Sequence, residues 1–127
     1  MTSDRYSAEA KERWGNTDAY RESANRLKNY SQEDIELAKK TMAEATNQIL
    51  DVMLAGLPAD SPEAMAGAEA HRGSISDWWY ECSYEMHAGL AQMYIADQRF
   101  SEFYEQLQPG LSQYVHDAIL ANAINNS

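Results

Sequence analysis

Cysteine is nearly absent from this chain, and no apolar run is long enough to span a membrane. The 127 residues include one cysteine, Cys82, which excludes a disulfide within the chain and a zinc site of four thiolates. A transmembrane helix needs about 20 consecutive apolar residues, and a secretory signal needs an apolar stretch near the N-terminus. Neither pattern occurs in the sequence. We therefore expect a soluble, cytoplasmic domain.

Basic residues are also scarce. The chain has 10 Lys and Arg against 20 Asp and Glu, which gives a formal charge of −10. Binding to a nucleic-acid backbone needs clustered Lys and Arg, so this composition argues against direct nucleic-acid binding. The imbalance is strongest in residues 61–127, where only Arg72 and Arg99 oppose 9 acidic residues. Either this half has an ordinary solubilising surface, or it prefers neutral or cationic partners.

The remaining composition predicts one all-α domain. Hydrophobic residues make up 44% of the chain, which is enough to form a core. Pro (3) and Gly (6) are few, and most of them occur where helices would start or end. Ser31 followed by Asp34 matches a helix N-cap, and Gly56 matches a residue just beyond a helix C-terminus. Ser61 before Pro62 matches the start of the next helix. We expect that helix to end near Gly73, further helices over 74–96, 98–107 (capped by Asp97) and 111–124, and a turn at Pro109 and Gly110.

The first 30 residues differ from the rest. They contain two short helical patterns around Gly15 and many charges, but Leu27 is their only Leu, Ile or Val. Short helices with so little to bury are marginally stable on their own. We therefore expect 1–30 to be a mobile segment unless something docks it, and 31–127 to form the helical core.

The helix predicted over 74–96 has three faces when residues are placed at 100° intervals. The first face is apolar and predicts core: Ile75, Trp79, Cys82, Met86, Leu90 and Met93, with Trp78 and Gly89 at its edge. The second face is polar and predicts solvent: Asp77, Glu81, Glu85 and Gln92. The third face carries rings with polar groups: Tyr80, Tyr84, His87, Ala91 and Tyr94. This third face predicts either a packed surface or a ligand cleft, because such side chains combine apolar area with a hydrogen-bonding group.

Enzymatic and metal chemistries have weaker support. Cys82 and His87 are five residues apart, about 140° around a helix, so a Cys–His pair would need His71 or His116 instead. The three histidines and the cysteine lack the spacing of a metal-ligand pair, and no phosphate-binding loop is present. A non-enzymatic binding domain without metal or cofactor is the leading hypothesis. The alternative is a globin-like carrier of haem or a metal cofactor that uses His71 or His87.

Four segments, taken together, resemble the antibiotic-recognition domain of TipA-type regulators, the TipAS family. They run from residue 12 to residue 123 in family order. They are 12–20 (ERWGNTDAY), 56–65 (GLPADSPEAM), 71–94 (containing HRG, WWYECSYEMH and MY) and 109–123 (containing PGL and DAILANA).

The resemblance implies a compact, globin-like, all-α fold that binds thiopeptide antibiotics, which are bulky macrocycles rich in thiazole rings. It also implies that the N-terminal segment closes over the ligand as a lid, with the cleft walled near His71 and 75–94. The candidate ligand-binding residues are Trp14, Tyr20, His71, Ile75, Trp78, Trp79, Cys82, Met86, His87, Gly89 and Tyr94. Such domains form the C-terminal half of MerR-family transcription activators. The chain would then either sequester the antibiotic as a free-standing form or signal to an upstream DNA-binding winged-helix domain, with no membrane partner.

One departure from the family pattern concerns covalent capture. Family members that capture thiopeptides covalently use a thiol that adds to a dehydroalanine of the antibiotic, and the resemblance places two cysteines seven residues apart, the second reactive. Cys82 occupies the first position and Gly89 the second, so the resemblance does not extend to covalent capture. A glycine inside a helix costs roughly 0.5–1 kcal/mol relative to alanine. Gly89 therefore predicts that a backbone or a ligand approaches closely at this position.

Overall fold

The structure, a computed structural model, describes residues 18–127. Over this range the chain forms six helices and no strand, which confirms the all-α prediction. None of these six helices is long and apolar enough to cross a membrane. The helices are α1 (Asp18–Lys28), α2 (Gln32–Leu54), α3 (Pro62–Trp78), α4 (Tyr84–Ala96), α5 (Gln98–Leu107) and α6 (Leu111–Asn125).

Most of the predicted helix boundaries are confirmed, because each is set by a local cap. The Ser31 hydroxyl accepts a hydrogen bond from the Asp34 amide at 3.1 Å, and the Asp34 carboxylate accepts one from the Ser31 amide at 3.0 Å. This reciprocal pair is a capping box, which satisfies two amides that the helix itself leaves unpaired. Gly56 follows the end of α2 with a φ of +81°, a backbone conformation that favours glycine. Ser61 and Asp97 cap α3 and α5 as predicted.

The core is organised around α6, which packs against α2, α3, α4 and α5. Leu111, Val115 and Ile119 of α6 are fully buried and lie in one apolar cluster with residues of α2 to α5. The N-terminus of α6 has no side-chain cap at Gly110 itself. Instead, the Glu105 carboxylate accepts hydrogen bonds from the Gly110 and Ser112 amides and from the Ser112 hydroxyl, each within 3.0 Å. Helix α5 thereby anchors the start of the central helix.

The prediction of one helix over 74–96 is wrong. Helix α3 continues through Gly73 to Trp78, and a connection over residues 79–83 separates it from α4. The Ser74 hydroxyl, expected to cap a new helix, donates to the His71 carbonyl within α3 at 2.6 Å, a local bond that Ser makes readily inside helices. Ser83 is the N-cap of α4, where its hydroxyl accepts from the Met86 amide at 3.1 Å.

This break changes which face of the segment is buried. Across a non-helical connection, the 100° rule no longer relates residues on the two sides. In α4 the buried residues are His87, Ala91 and Tyr94, all from the face predicted as a packed surface or a cleft. Met86, predicted to lie in the core, is 37% exposed. The core prediction is therefore wrong for Met86.

Candidate functional site

We call residues 78–83 the aromatic connection. The predicted ligand-binding residues divide by exposure into an outer group, which is partly or largely exposed, and an inner group, which is buried. Trp78 and Trp79 are partly exposed there, and Met86 and Gly89 are exposed on α4 nearby in sequence. Five predicted residues form the inner, buried group: His71, Ile75, Cys82, His87 and Tyr94. Tyr20 lies on α1 and is partly exposed. Trp14 lies outside the described residues.

The inner group contains a pair of buried histidines. His71 on α3 is 0% exposed and His87 on α4 is 1% exposed. The His71 Nδ1 and the His87 Nε2 are 2.9 Å apart, a hydrogen bond between the rings, which also stack at 5.1 Å. Burial lowers the pKa of His71 to about 4. Burial, His71 and the nearby Arg72 lower the pKa of His87 to about 3.

Both histidines are therefore neutral near pH 7. The N–H of one ring donates a hydrogen bond to the unprotonated nitrogen of the other. The remaining His71 nitrogen, Nε2, is buried without a hydrogen-bond partner among residues 18–127. The haem alternative does not fit this arrangement, because both imidazoles are enclosed by protein and, within the described part of the chain, neither faces an opening wide enough for a haem. Sequence reasoning missed the pair because the two residues lie on separate helices.

Tyr94 belongs to the aromatic interior rather than to an open cleft. Its ring lies edge-on to His71 at 5.9 Å and tilted against Phe100 at 5.7 Å and Tyr104 at 5.3 Å. Burial raises the pKa of Tyr94 well above its usual value, so the phenol stays protonated. Such ring pairs stabilise beyond the area they bury. Tyr94 therefore packs in the interior, against the buried His71.

Cys82 is buried in the aromatic connection, and its thiol is a poor nucleophile. Burial raises the pKa of the thiol to about 11, against the opposing effect of the Arg72 charge. The thiolate is the reactive form, and with such a pKa only about one thiol in ten thousand is ionised at pH 7. Over residues 18–127, no group of three or more His, Cys, Asp or Glu side chains is placed to hold a metal ion.

Sequence reasoning also missed an ion-pair network beside Cys82. Arg72 donates to both carboxylate oxygens of Glu69, at 3.1 and 2.7 Å, and to the Cys82 carbonyl at 2.7 Å. Its guanidinium also lies 4.1 Å from the centre of the Tyr84 ring. Asn122 on α6 donates to Glu69 at 3.1 Å. A charge pair at spacing i, i+3 was visible in the sequence, but its contacts with α4 and α6 were not.

Helix α1 docks on the aromatic connection through the backbone of α3. Arg26 donates to the Ser76 carbonyl at 2.7 Å. The Tyr30 hydroxyl donates to the Trp78 carbonyl, and the two rings meet edge-on at 5.6 Å. These side chains satisfy carbonyls that the end of α3 leaves without a helical partner. The Glu22 carboxylate of α1 also accepts from the Glu81 amide at 3.3 Å, so α1 and Tyr30 together contact the end of α3 and the aromatic connection.

Gly89 has no protein neighbour that requires a glycine. A Cβ atom built at Gly89 would meet nothing within 4 Å, so the predicted approach of a backbone is not found among the described residues. A close approach does occur at Gly67, which the sequence analysis did not single out: a Cβ there would lie 2.8 Å from the Ile49 side chain. Gly89 instead leaves an open position on the exposed surface of α4.

An apolar groove of about 260 Å³ lies between α4 and α6, apart from the predicted site residues. Its floor and walls are formed by Tyr84, Glu85, Ala88, Leu120, Ala123, Ile124 and Ser127. Tyr84 is shared between this groove and the network around Arg72. None of the predicted ligand-binding residues lines it.

Comparisons with known proteins give one consistent family. Residues 6–122 match the model of the TipAS antibiotic-recognition domain. The HTH-type transcriptional activator TipA of Streptomyces coelicolor and that of Streptomyces lividans are each 45% identical over 98% of this chain. The chain spans about half, 49%, of the length of these relatives.

Two solved structures are similar as well. The first is TipAS of Streptomyces lividans in complex with nosiheptide, from a thiopeptide antibiotic multidrug resistance system. It is 45% identical, with a TM-score of 0.90 over 98% of this chain and 87% of that one. The second is the antibiotic-binding domain of a TipA-class multidrug resistance transcriptional regulator. It is 43% identical, with a TM-score of 0.65 over 71% of this chain and 96% of that one.

Proposed function

Because this chain belongs to the TipAS antibiotic-recognition family, we propose that it binds thiopeptide antibiotics of the nosiheptide type. The observation that carries the proposal is the likeness, over nearly the whole chain, to a TipAS domain that holds nosiheptide. A likeness in both sequence and backbone supports a shared ligand class more strongly than a shared fold alone would. The proposed role is binding, without catalysis.

The aromatic connection is the proposed ligand surface. Trp78 and Trp79 offer partly exposed rings there, and Met86 offers an exposed, adaptable side chain at the start of α4. Aromatic rings supply large contact area for few rotatable bonds, and Met adapts to irregular partners. Gly89 leaves room on α4 beside them. The buried residues His71, Ile75, Cys82, His87 and Tyr94 would hold this surface in shape from beneath.

The proposed binding is non-covalent. Cys82 is the only thiol, and its burial and raised pKa oppose addition to a dehydroalanine. Position 89, where the family resemblance places the reactive thiol, is a glycine. We therefore expect the intact mass of the protein to be unchanged after incubation with nosiheptide followed by denaturation.

The N-terminal segment, 1–30, is the proposed lid, and Tyr20 and Trp14 are its proposed ligand contacts. Helix α1 already meets the aromatic connection where its Glu22 carboxylate accepts from the Glu81 amide at 3.3 Å, and Tyr30, just beyond α1, donates to the Trp78 carbonyl. A ligand bound there would therefore lie beside this segment. Fixing a backbone costs roughly 1–2 kcal/mol per residue. A large apolar guest can offset that cost, whereas a small one cannot.

We further propose that the chain serves as the ligand-sensing part of a transcription activator, with DNA contacted by a different part of that protein. The TipA relatives are HTH-type transcriptional activators of about twice the matched length. The net charge of −10 supports the assignment of DNA binding to a different part of the protein, since this chain would repel a DNA duplex. A free-standing form that sequesters the antibiotic would use the same site.

Calorimetric titration with nosiheptide tests the proposal. The wild-type chain should bind at micromolar ligand or tighter, with protection of amides in 18–30 from hydrogen exchange. Trp79→Ala should weaken binding at least roughly tenfold, as the loss of an aromatic anchor does. Phe103→Ala removes a 57% exposed ring of α5 and is the matched control. Absence of wild-type binding, or equal losses in the two variants, would refute the proposed function or the proposed surface respectively.

A further inference from the structure

We infer that Arg72 is a positioning residue, which fixes the backbone of the aromatic connection in the conformation that receives the ligand. The inference rests on the proposed function and deepens it. Arg72 acts through the main chain of Cys82, so its contribution to binding is separate from that of the rings that would touch the antibiotic.

The main chain of Cys82 is held on both sides by side chains of α3. Arg72 donates to the Cys82 carbonyl at 2.7 Å. The Ser76 hydroxyl accepts from the Cys82 amide at 2.9 Å and lies 3.3 Å from the carbonyl. Residues 79–83 belong to no helix, so these bonds replace the ladder that would otherwise order them. The other end of the segment is tied to α3 by the Trp79 and Tyr80 amides, which both donate to the Ile75 carbonyl.

The orientation of Arg72 is itself fixed by three helices. Glu69 holds the guanidinium through two bonds, a geometry that only arginine matches. Tyr84 of α4 lies under the guanidinium and donates to Glu69 at 3.2 Å. Asn122 of α6 donates to the other oxygen of Glu69. The arginine adjacent to Glu69 lowers the pKa of that carboxyl to about 2, so the pair stays charged at any physiological pH.

These contacts also indicate what Arg72 does not do. Its Nε, Nη1 and Nη2 atoms all have acceptors within the protein, and the side chain is mostly buried. An arginine that received a ligand directly would present a donor to solvent. Arg72 instead uses one bond to hold the Cys82 carbonyl, in the segment that carries Trp79 and Tyr80, and two bonds to fix its own guanidinium on Glu69.

The consequence for binding follows from population arithmetic. If the aromatic connection samples several conformations and only a fraction accepts the ligand, the apparent Kd rises by the inverse of that fraction. One charge-assisted hydrogen bond to Cys82 is enough to shift such a fraction by roughly tenfold. Loss of Arg72 should then slow association, while the dissociation rate of the bound, reordered complex changes little.

The test compares four variants of the full chain by nosiheptide binding kinetics and by hydrogen exchange of the free protein. Arg72→Lys keeps the charge but not the bidentate geometry, and Ser76→Ala removes the second holder of Cys82. Ser76→Thr retains the hydroxyl and should restore wild-type behaviour. Lys40→Gln breaks an exposed ion pair with Glu44 on α2 and is the control. Near-ultraviolet circular dichroism establishes that each variant is folded.

We expect Arg72→Lys and Ser76→Ala to raise the Kd roughly tenfold through slower association, and to speed amide exchange in 80–84. In Arg72→Lys the Ser76 hydroxyl still faces the Cys82 amide, so faster exchange there reports motion of the segment. A global loss of stability would instead lower the melting temperature and leave the Kd unchanged well below it. Unaltered exchange in 80–84, or faster exchange with a wild-type Kd, overturns the inference. Failure of the wild-type chain to bind overturns the proposed function, and the exchange result still decides whether Arg72 positions the segment.

Discussion

Acidification should destabilise this domain through the His71–His87 pair before its carboxylates are protonated. Both imidazoles are buried and neutral in the folded state, with pKa values of about 4 and about 3. In the unfolded chain each would titrate near 6.5. Between these pH values the unfolded state binds more protons than the folded state. The contribution of the two neutral histidines to the free energy of unfolding is therefore complete above pH 6.5 and is lost progressively as the pH falls towards 4.

The magnitude follows from those values. One pKa unit corresponds to about 1.4 kcal/mol, so lowering the pH from 7.5 to 4.5 should cost about 2 to 3 kcal/mol for each histidine. The pair together then costs about 5 kcal/mol, set against a total stability of about 5–15 kcal/mol for a typical domain. The charged groups facing His87 do not cancel this, since Arg72 lowers its pKa further and Glu69 raises it only as the smallest effect.

Urea unfolding at pH 7.5, 6.5, 5.5 and 4.5 measures this loss, with the midpoint read by circular dichroism. The variant His87→Gln keeps an amide group that can bond to His71 but cannot titrate, so its loss should be about half that of the wild type. A free energy of unfolding that stays flat between pH 7.5 and 5 would refute the assignment of two neutral, buried imidazoles. So would a His87→Gln variant with the wild-type pH dependence.

Three further predictions concern single positions. Gly89→Cys should gain an adduct of one nosiheptide by intact mass, since the family resemblance places the reactive thiol there and a side chain at this position meets nothing within 4 Å; Gly73→Cys, equally unhindered, should gain none. Glu105→Gln should lower the thermal midpoint at pH 7, with the difference closing as the pH falls below the usual carboxyl value of 4.5, because the lowered pKa reflects its bonds to the start of α6. Gly67→Ala should destabilise by about 1–2 kcal/mol in urea unfolding, because its Cβ would lie 2.8 Å from the fully buried Ile49; Gly89→Ala should instead stabilise by about 0.5–1 kcal/mol.

Sequence reasoning succeeded where structure depends on neighbouring residues. Ser31, Ser61 and Asp97 cap helices because each hydroxyl or carboxylate accepts from an amide two or three residues ahead, and such signals are readable along the chain. It failed between Gly73 and Ser83, where it began a helix at Ser74 and missed the N-cap at Ser83. Ser74 precedes an acid at the expected spacing, but its hydroxyl bonds within α3. A serine is compatible with either a helix interior or an N-cap, so the local sequence does not decide between them. Tertiary contacts do: α3 continues through Ser74, and Ser83 caps α4.

The candidate site was less predictable than the fold, because its contacts join distant parts of the chain. The hydrogen bond between His71 and His87 joins two helices, α3 and α4. The periodicity of apolar residues along one helix cannot reveal such a contact. The network of Glu69 and Arg72 reaches Asn122, 53 residues away from the carboxylate. The family resemblance named both His71 and His87 as site residues, and the structure brings these two side chains together.

In the proposed site, the aromatic connection would keep the residues that contact the ligand distinct from the residues that position its backbone. Its outer rings, Trp78 and Trp79, are partly exposed. Its backbone is bonded to side chains of α1 and α3, at Glu81 and Cys82 respectively. Substituting an outer ring changes contact area and leaves the bonds to Cys82 in place. Substituting Arg72 leaves the rings in place and releases the backbone. Changes of the first kind should therefore alter which thiopeptides bind, and changes of the second kind should weaken all of them by a similar factor, which a panel of thiopeptides titrated against Trp79→Ala and Arg72→Lys would distinguish.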